Sequence, residues 1–446
     1  MKRNNILRML SVAGMLVVLT AQFGACGTST DNAGDTQKAQ DENNDGKAAK
    51  FATALDTDAE VTLEIAGYMG NFEALDQVIN DFNEYYPNVT VTYEQNNANE
   101  LSEYLKNNGY CDIFMTNMTN IWDTENEGSY VADECLDLSQ ENLDTDAVEP
   151  KLLEAYTVDG KLMSIPIARN MCGIVVNETL LEKEGLKIPQ TYSELLDACK
   201  VLKKKGYTPI QAAKYHASSD LVLPMGMCMI ANDSSLMKRV NKADGTVAPQ
   251  LSEIYDKLDE LYKNGYMDAD INASYPDDNY DGAILKFFEG DVPFWVCTTE
   301  CVSGMKKRES KSESFSADPF KYTFIDAPLG DDGAYVYEEP WYGFAVNRNS
   351  DDIEYAVEFM QFFMTEEELN TIASVKGMPS AAINSTDERY EAALAPKKLA
   401  GTYIFDGSMS IRVTSAIADV ANELGNGEFE DTSAALEKLR ERINKL

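Results

Sequence analysis

The chain has 446 residues, 75 acidic and 38 basic side chains, one histidine and a formal net charge of −37. That balance excludes nucleic acid and anionic lipid surfaces as electrostatic partners. The lone histidine, His216, excludes His-rich metal sites, and it lies in KYHASSD with no nucleophile motif nearby, where a polar loop role is expected.

The first residues read as an export signal. Lys2, Arg3 and Arg8 precede an apolar run over 9–20, too short to span a bilayer comfortably, and Phe23-Gly24-Ala25-Cys26 follows. Small residues directly before a cysteine form a lipobox, here with Phe23 at the position usually held by Leu. We expect residues 1–25 to be a lipoprotein signal peptide and Cys26 to carry the lipid, anchoring the chain to the outer face of a bacterial cell membrane. Removing the signal takes away three basic residues and no acidic ones, so the remaining charge is 35 − 75 = −40. Residues 27–58 are almost devoid of apolar side chains, so 26–58 is expected to be a disordered tether. The remainder exceeds one ordinary core, and two lobes are expected.

Along that body, short strand-like runs alternate with amphipathic segments, which predicts an α/β fold with mainly parallel sheet. Strands are expected over 61–66, 89–93 and 111–115. A helix over 71–86, apolar at 72, 75, 78, 79 and 82, is stopped by Pro87, and a second is expected over 99–108. Asp159-Gly160 marks a turn before a short strand ending at Pro166, and 172–177 reads as another strand. Thr191 caps a helix through 202 with Glu194 completing a capping box, and Gly206 ends it. A helix is expected over 251–264, closed by Gly265; 282–289 leads through Gly290-Asp291 into a strand over 292–297, followed by a charged surface loop over 306–319, and a strand, turn and helix over 340–364. Gly377-Met378-Pro379 breaks the chain, and a final helical region over 409–446 divides near 425–427. No G-x-G-x-x-G or P-loop motif signals a nucleotide. Asp268-Ala-Asp270-Ile-Asn272 resembles the start of a calcium loop, but Ala273 stands where the turn needs Gly and Asn279 where a bidentate Glu belongs. Beyond Cys26, seven cysteines fit no metal spacing and several sit in apolar runs, as small buried hydrophobes do. Cys297 and Cys301 form the only close pair, and nothing in the sequence requires a disulfide between them.

Together these blocks resemble the extracellular solute-binding proteins of family 1, the sugar-binding components of ABC importers that include the maltose-binding protein. The residues that carry the resemblance are Tyr86-Pro87-Asn88-Val89, Asp112-Ile113-Phe114, Asp159-Gly160-Lys161-Leu162 through Ile165-Pro166 to Val176-Asn177, Gly185-Leu186, and Pro189-Gln190-Thr191-Tyr192. Gly206 with Pro209, Phe288-Glu289-Gly290-Asp291-Val292, Gly343-Phe344-Ala345-Val346-Asn347 and Gly377-Met378-Pro379 complete it, so that it spans nearly all of 59–446. It implies a periplasmic-binding-protein-like type II fold, with two α/β lobes joined by hinge strands and a ligand cleft between them. Expected lobes are 59–168 with 344–380, and 169–343 with 381–446, with hinge crossings near 168–171, near 341–344 and after Pro379. The implied activity is non-enzymatic: capture of a carbohydrate, as an oligosaccharide, by a monomer that needs no cofactor and delivers its cargo to ABC permease subunits.

A sugar presents hydroxyls at its edge and C–H groups on its faces, so its site needs planar polar groups around aromatic platforms. Trp341, beside Tyr342 at a crossing, is the leading candidate, expected to stack on ligand at little cost to unliganded stability when removed. Asn170 and Arg169 follow at the first crossing; Arg169 has the alternative of holding the lobes together through a carboxylate. Asn117 ends the 111–115 strand, with a helix-cap role as its alternative. Thr298, Thr299 and Glu300 follow the 292–297 strand, where relatives carry an aromatic contact that this chain lacks. Tyr68, Asp220 and Arg412 complete the set, and Trp295 is assigned to the core. Alternatives are a binding protein for a polyamine or peptide, a ligand sensor for a receptor kinase, and a glycoside hydrolase, which needs two carboxylates about 5–10 Å apart across the sugar.

Overall fold

A computed structural model describes residues 51–446 except 71, 97–100, 102, 106, 108–109, 123–128, 214–217, 276–279, 385–389 and 391–398. The expected signal, Cys26, most of the tether, His216 and Asn279 lie outside the described residues, as does part of the expected 99–108 helix. The chain packs onto its body before residue 59: the Phe51 ring meets Tyr85 and Phe362 edge-on, and Glu358 accepts a hydrogen bond from the Ala54 amide.

The described strands are β1 Val61–Gly67, β2 Val89–Gln95, β3 Ile113–Thr116, β4 Thr157–Val158, β5 Lys161–Leu162, β6 Ile165–Pro166, β7 Arg169–Asn177, β8 Ile210–Gln211, β9 Phe294–Thr298, β10 Tyr322–Asp326, β11 Ala334–Pro340, β12 Gly343–Val346 and β13 Leu399–Ile404. One lobe holds the sheet β2-β1-β3-β12-β6. The other holds β13-β11-β7-β9-β8 with β10 also paired to β7, and β4-β5 is a small hairpin.

The expectation of mainly parallel sheet is corrected. Parallel pairing joins β1 to β2 and β3, β8 to β9, and β11 to β13, whereas β12 opposes β3 and β6, and β7 opposes β9, β10 and β11. The chain runs from β6 into β7, leaving the first sheet for the second, and from β11 into β12, returning. Two crossings in opposite senses make their strands antiparallel in both sheets.

Local chemistry sets the flanking helices. Glu73–Phe82 buries Ala74, Leu75, Val78 and Phe82 on one face. Thr191 accepts from the Glu194 amide at 3.3 Å to start Tyr192–Lys204, and the Glu194 carboxylate reaches back to the Gln190 amide at 2.7 Å. The expected charged loop over 306–319 is instead largely helical. Thr299–Glu309 carries the basic run through Arg308, which pairs with Asp281, and Ser312 caps a short helix over Glu313–Ala317. The calcium-like stretch forms a helix start, with the Asp268 carboxylate accepting from the Asp270 and Ile271 amides. All seven described cysteines are free and buried, Cys297 and Cys301 included.

Three chain segments meet where the sheets join. Ala168 accepts from the Trp341 amide at 2.9 Å, Tyr342 accepts from the Ile167 amide at 2.8 Å, and Ala168 bridges to Ser380, with Pro379 accepting from the Arg169 amide at 3.0 Å. Gly343 fits here because a Cβ would stand 2.3 Å from Ser164 Oγ and 3.0 Å from the Ile165 carbonyl oxygen.

Candidate functional site

Beside the hinge a cavity of about 380 Å³ opens between the lobes, at the small end of the range for ligand pockets. Asn117, Met118 and Thr119, just past β3, line it from the first lobe. Asn170, Glu339, Pro340, Trp341 and Tyr342 line it from the hinge strands. The second lobe adds Glu300, Tyr337 and Phe405, with Leu223 and one face of the Ile411–Gly425 helix through Ile411, Thr414, Ser415 and Ala418. Five sequence candidates therefore converge: Trp341, Tyr342, Asn170, Asn117 and Glu300.

The polar groups at this wall are pinned. Asn170 Nδ2 donates to Glu339 Oε1 at 3.3 Å, while its Oδ1 accepts from Thr299 Oγ1 at 3.2 Å and the Glu300 amide at 3.4 Å. Tyr337 donates to Glu339 Oε2 at 2.7 Å. Burial pushes the Glu339 carboxyl above its ordinary range; Tyr337 and Asn170 oppose this, and the neighbouring Asp220 and Glu300 charges add to it. Burial, then the nearby Glu300 charge, pushes the Tyr342 phenol up to about 12, so it stays a hydroxyl donor at neutral pH. Thr299 is fully buried, accepting from the Met171 amide at 3.0 Å, and so positions Asn170 from behind.

Two aromatic rings continue the wall and a third backs them. Tyr342 meets Trp341 at 4.9 Å and Tyr68 at 5.3 Å between centroids, both edge-on. Tyr68 donates to Asn120 Oδ1 at 2.9 Å and stands behind Tyr342 without lining the cavity. Asn117 also fills its alternative role, its Oδ1 accepting from the Asn120 amide at 2.8 Å at the start of the Met118–Trp122 helix.

Two expectations are corrected by packing. Arg169 is buried, and its guanidinium donates to the Ser380 and Ala382 carbonyls at 2.6 and 2.8 Å and to Glu338 at 3.1 Å, with Glu149 at 3.6 Å. Every nitrogen of the fork is committed to the hinge, so Arg169 takes the lobe-holding role. Trp341 lines the cavity but is only 6% exposed, packed edge-on to Phe72 at 6.4 Å with the Lys376 ammonium 4.7 Å from its ring centre. It is as much a core ring of the first lobe as a platform, and the small stability cost expected for its removal does not fit that burial. Asp220 is buried in the first turn of the Ser219–Asn232 helix, and Arg412 sits in the first turn of Ile411–Gly425; neither lines the cavity. Trp295 is a core residue, 1% exposed and stacked on Phe287.

Sequence reading missed Glu339, Tyr337 and Phe405. The alternation in AYVYEEP was the available signal for the first two, since residues 337 and 339 share a face of β11. A larger cavity, about 810 Å³, lies between β10 and the Glu366–Lys376 helix, away from the hinge rings and Asn170.

Comparison with known proteins shows the family and the fold. The profile of the family described as bacterial extracellular solute-binding protein matches residues 77–396. A multiple sugar-binding protein of Streptococcus mutans is 36% identical over 58 residues, spanning 13% of this chain and 14% of that protein. Among solved structures, a sugar transporter from Bacillus licheniformis in complex with stachyose superposes with a TM-score of 0.60 at 19% identity, covering 86% of this chain and 99% of that one. The solute-binding protein RafE in complex with raffinose gives 0.64 at 17% identity, over 86% and 99%. A family 1 extracellular solute-binding protein from Bifidobacterium longum subsp. infantis gives 0.65 at 17%, with the same coverage. At such identities the structural likeness establishes the fold alone.

Proposed function

The chain belongs to the bacterial extracellular solute-binding proteins, and from that premise we propose that it captures a short oligosaccharide in the hinge cavity and hands it to an ABC permease. The observation that carries this reading is the cavity wall itself. Tyr342 and Trp341 offer ring surface for a sugar's C–H face, and the fixed Asn170 and Glu339, with Glu300 beside them, offer edge-on hydrogen bonding. The raffinose and stachyose held by structural relatives support the same ligand class. Closure about the three hinge segments is the motion that couples binding to delivery, and the protein acts as a monomeric carrier rather than as an enzyme.

The test is a thermal-shift screen of the purified chain against mono- and oligosaccharides. A ligand at about 100 times its dissociation constant stabilises the native state by roughly 2.7 kcal/mol. At about 2–4 °C per kcal/mol that is a rise of several degrees. A broad sugar panel without a shift, beside a clear shift with spermidine or peptides, replaces the carbohydrate reading.

We also propose that Cys26 bears the lipid that keeps this carrier on the outer face of the membrane. The lipobox and the polar segment after it support this. Two acyl chains, at roughly 0.8 kcal/mol per buried CH2, hold a protein where one does not. Cys26→Ser is expected to move the protein from the membrane fraction to the soluble fraction; unchanged membrane retention refutes lipidation at this residue.

A further inference from the structure

We propose that the turn over 405–408 is a clasp between the lobes, and that Lys151, Trp122, Asp406 and Gly407 set ligand affinity without touching the ligand. This rests on the hinge-cavity reading above and adds positioning residues to it. The turn follows β13 and is fixed to the second lobe at both ends. The Phe405 amide donates to the Glu338 carbonyl at 2.7 Å. Asn241, at the end of the Ser234–Val240 helix, donates to the Ser408 carbonyl and accepts from the Ser410 amide at 2.9 Å. Within the turn, Asp406 Oδ1 accepts from the Ser408 amide at 3.0 Å and from the Tyr403 hydroxyl at 3.3 Å.

The same turn meets the first lobe twice, once by charge and once by close packing. Asp406 Oδ2 accepts from Lys151 Nζ at 2.8 Å, on the Pro150–Ala155 helix. Glu154 stands 3.9 Å from the same ammonium, so Asp406 is the nearer partner. Burial raises the Asp406 carboxyl, but hydrogen bonds from Lys151 and Ser408 outweigh it and hold the group below its ordinary range, charged at neutral pH. Gly407 takes φ +74° and lies against the Trp122 indole, whose N–H donates to the Ala155 carbonyl at 2.6 Å. A Cβ on Gly407 would stand 2.2 Å from Trp122 Cζ2. Phe405, one residue before the ion pair, lines the cavity. Drawing the first lobe away from this turn therefore breaks both contacts beside the ligand space. Contacts made only with the lobes together raise the closed fraction, and apparent affinity follows that fraction.

Isothermal titration of the full chain with raffinose and stachyose tests this, beside small-angle scattering of the unliganded chain. Side-chain exposure of 47% at Lys151 and 14% at Asp406 leaves the pair partly screened. Lys151→Met and Asp406→Asn are each expected to raise the dissociation constant about three- to fivefold, with melting near that of the parent. The double variant is expected to lose no more than the weaker single, because one contact is removed either way. The parent's advantage over Lys151→Met is expected to shrink as salt is raised. Gly407→Ala drives a methyl into the indole and is expected to weaken binding at least about tenfold. It is also expected to shift the unliganded chain toward a larger radius of gyration. Lys263→Met breaks a pair with Asp259 inside the second lobe and is expected to change neither reading. Dissociation constants equal to the parent's in all three clasp variants overturn the clasp and leave the carbohydrate function standing. Silence from both sugars counts against the carbohydrate reading instead, and scattering then decides the clasp alone: identical curves for the parent and Gly407→Ala overturn it.

Discussion

Arg169→Ala is expected to destabilise the chain by about 3–5 kcal/mol, because it strands a buried charge. Glu338 is 6% exposed and faces the Arg169 guanidinium at 3.1 Å, while the Ser380 and Ala382 carbonyls accept from the same fork. Alanine removes all three contacts. Urea unfolding reads the loss directly. Arg169→Met with Glu338→Leu, which removes both charges and keeps apolar volume, is expected to recover part of the loss. The recovery stays partial because the two carbonyls remain without their donor. These carbonyls belong to the third hinge segment, so the single variant is also expected to loosen closure and raise the ligand's dissociation constant. A cost below about 1 kcal/mol with a large fall in affinity would return Arg169 to the role of ligand contact.

Much of the hinge was legible in the sequence because punctuation residues mark it. Pro166, Gly343 and Gly377 to Pro379 stop strands and helices where the chain changes lobe, and the aromatic pair Trp341-Tyr342 stands at one of those points. The partners across the hinge were not legible. Arg169 faces Glu338 and Asn170 faces Glu339 across 169 residues of sequence, set by the antiparallel register of β7 and β11. No local pattern records such a register. The Ser219–Asn232 helix escaped notice for another reason: it is buried nearly all round and holds Pro224, so it lacks the apolar stripe by which a surface helix is recognised. The lysine-rich run near 306 failed in the opposite direction. Its charges read as a loop, yet Lys306, Lys307 and Arg308 occupy the last turn of a helix, where they complement the dipole.

Trp341 and Tyr342 are adjacent, line one cavity and are expected to respond to truncation in opposite ways. Trp341 is packed against Phe72 and beneath Lys376 within the first lobe's core, so Trp341→Ala is expected to cost about 3–5 kcal/mol of unliganded stability, as other buried tryptophans do. Tyr342 is only partly buried, its ring set between Trp341 and Tyr68. Tyr342→Ala is expected to leave unfolding largely unchanged and to weaken ligand binding by at least about 1 kcal/mol, the scale of an aromatic contact. Tyr342→Phe keeps the platform and removes the hydroxyl, and is expected to lose less. The indole of Trp341 then serves as reporter: of the three tryptophans, Trp295 is sealed in the second lobe's core, and Trp122 donates its N–H to the Ala155 carbonyl outside the cavity. Saturating ligand is expected to change the emission of the parent and of Tyr342→Phe. The same change persisting in Trp341→Phe would place the responding ring elsewhere. If Trp341→Ala unfolds normally and only affinity falls, the core assignment of its ring fails. If Tyr342→Ala binds as tightly as the parent, the stacking surface of the cleft lies on other lining rings, Tyr337 or Phe405.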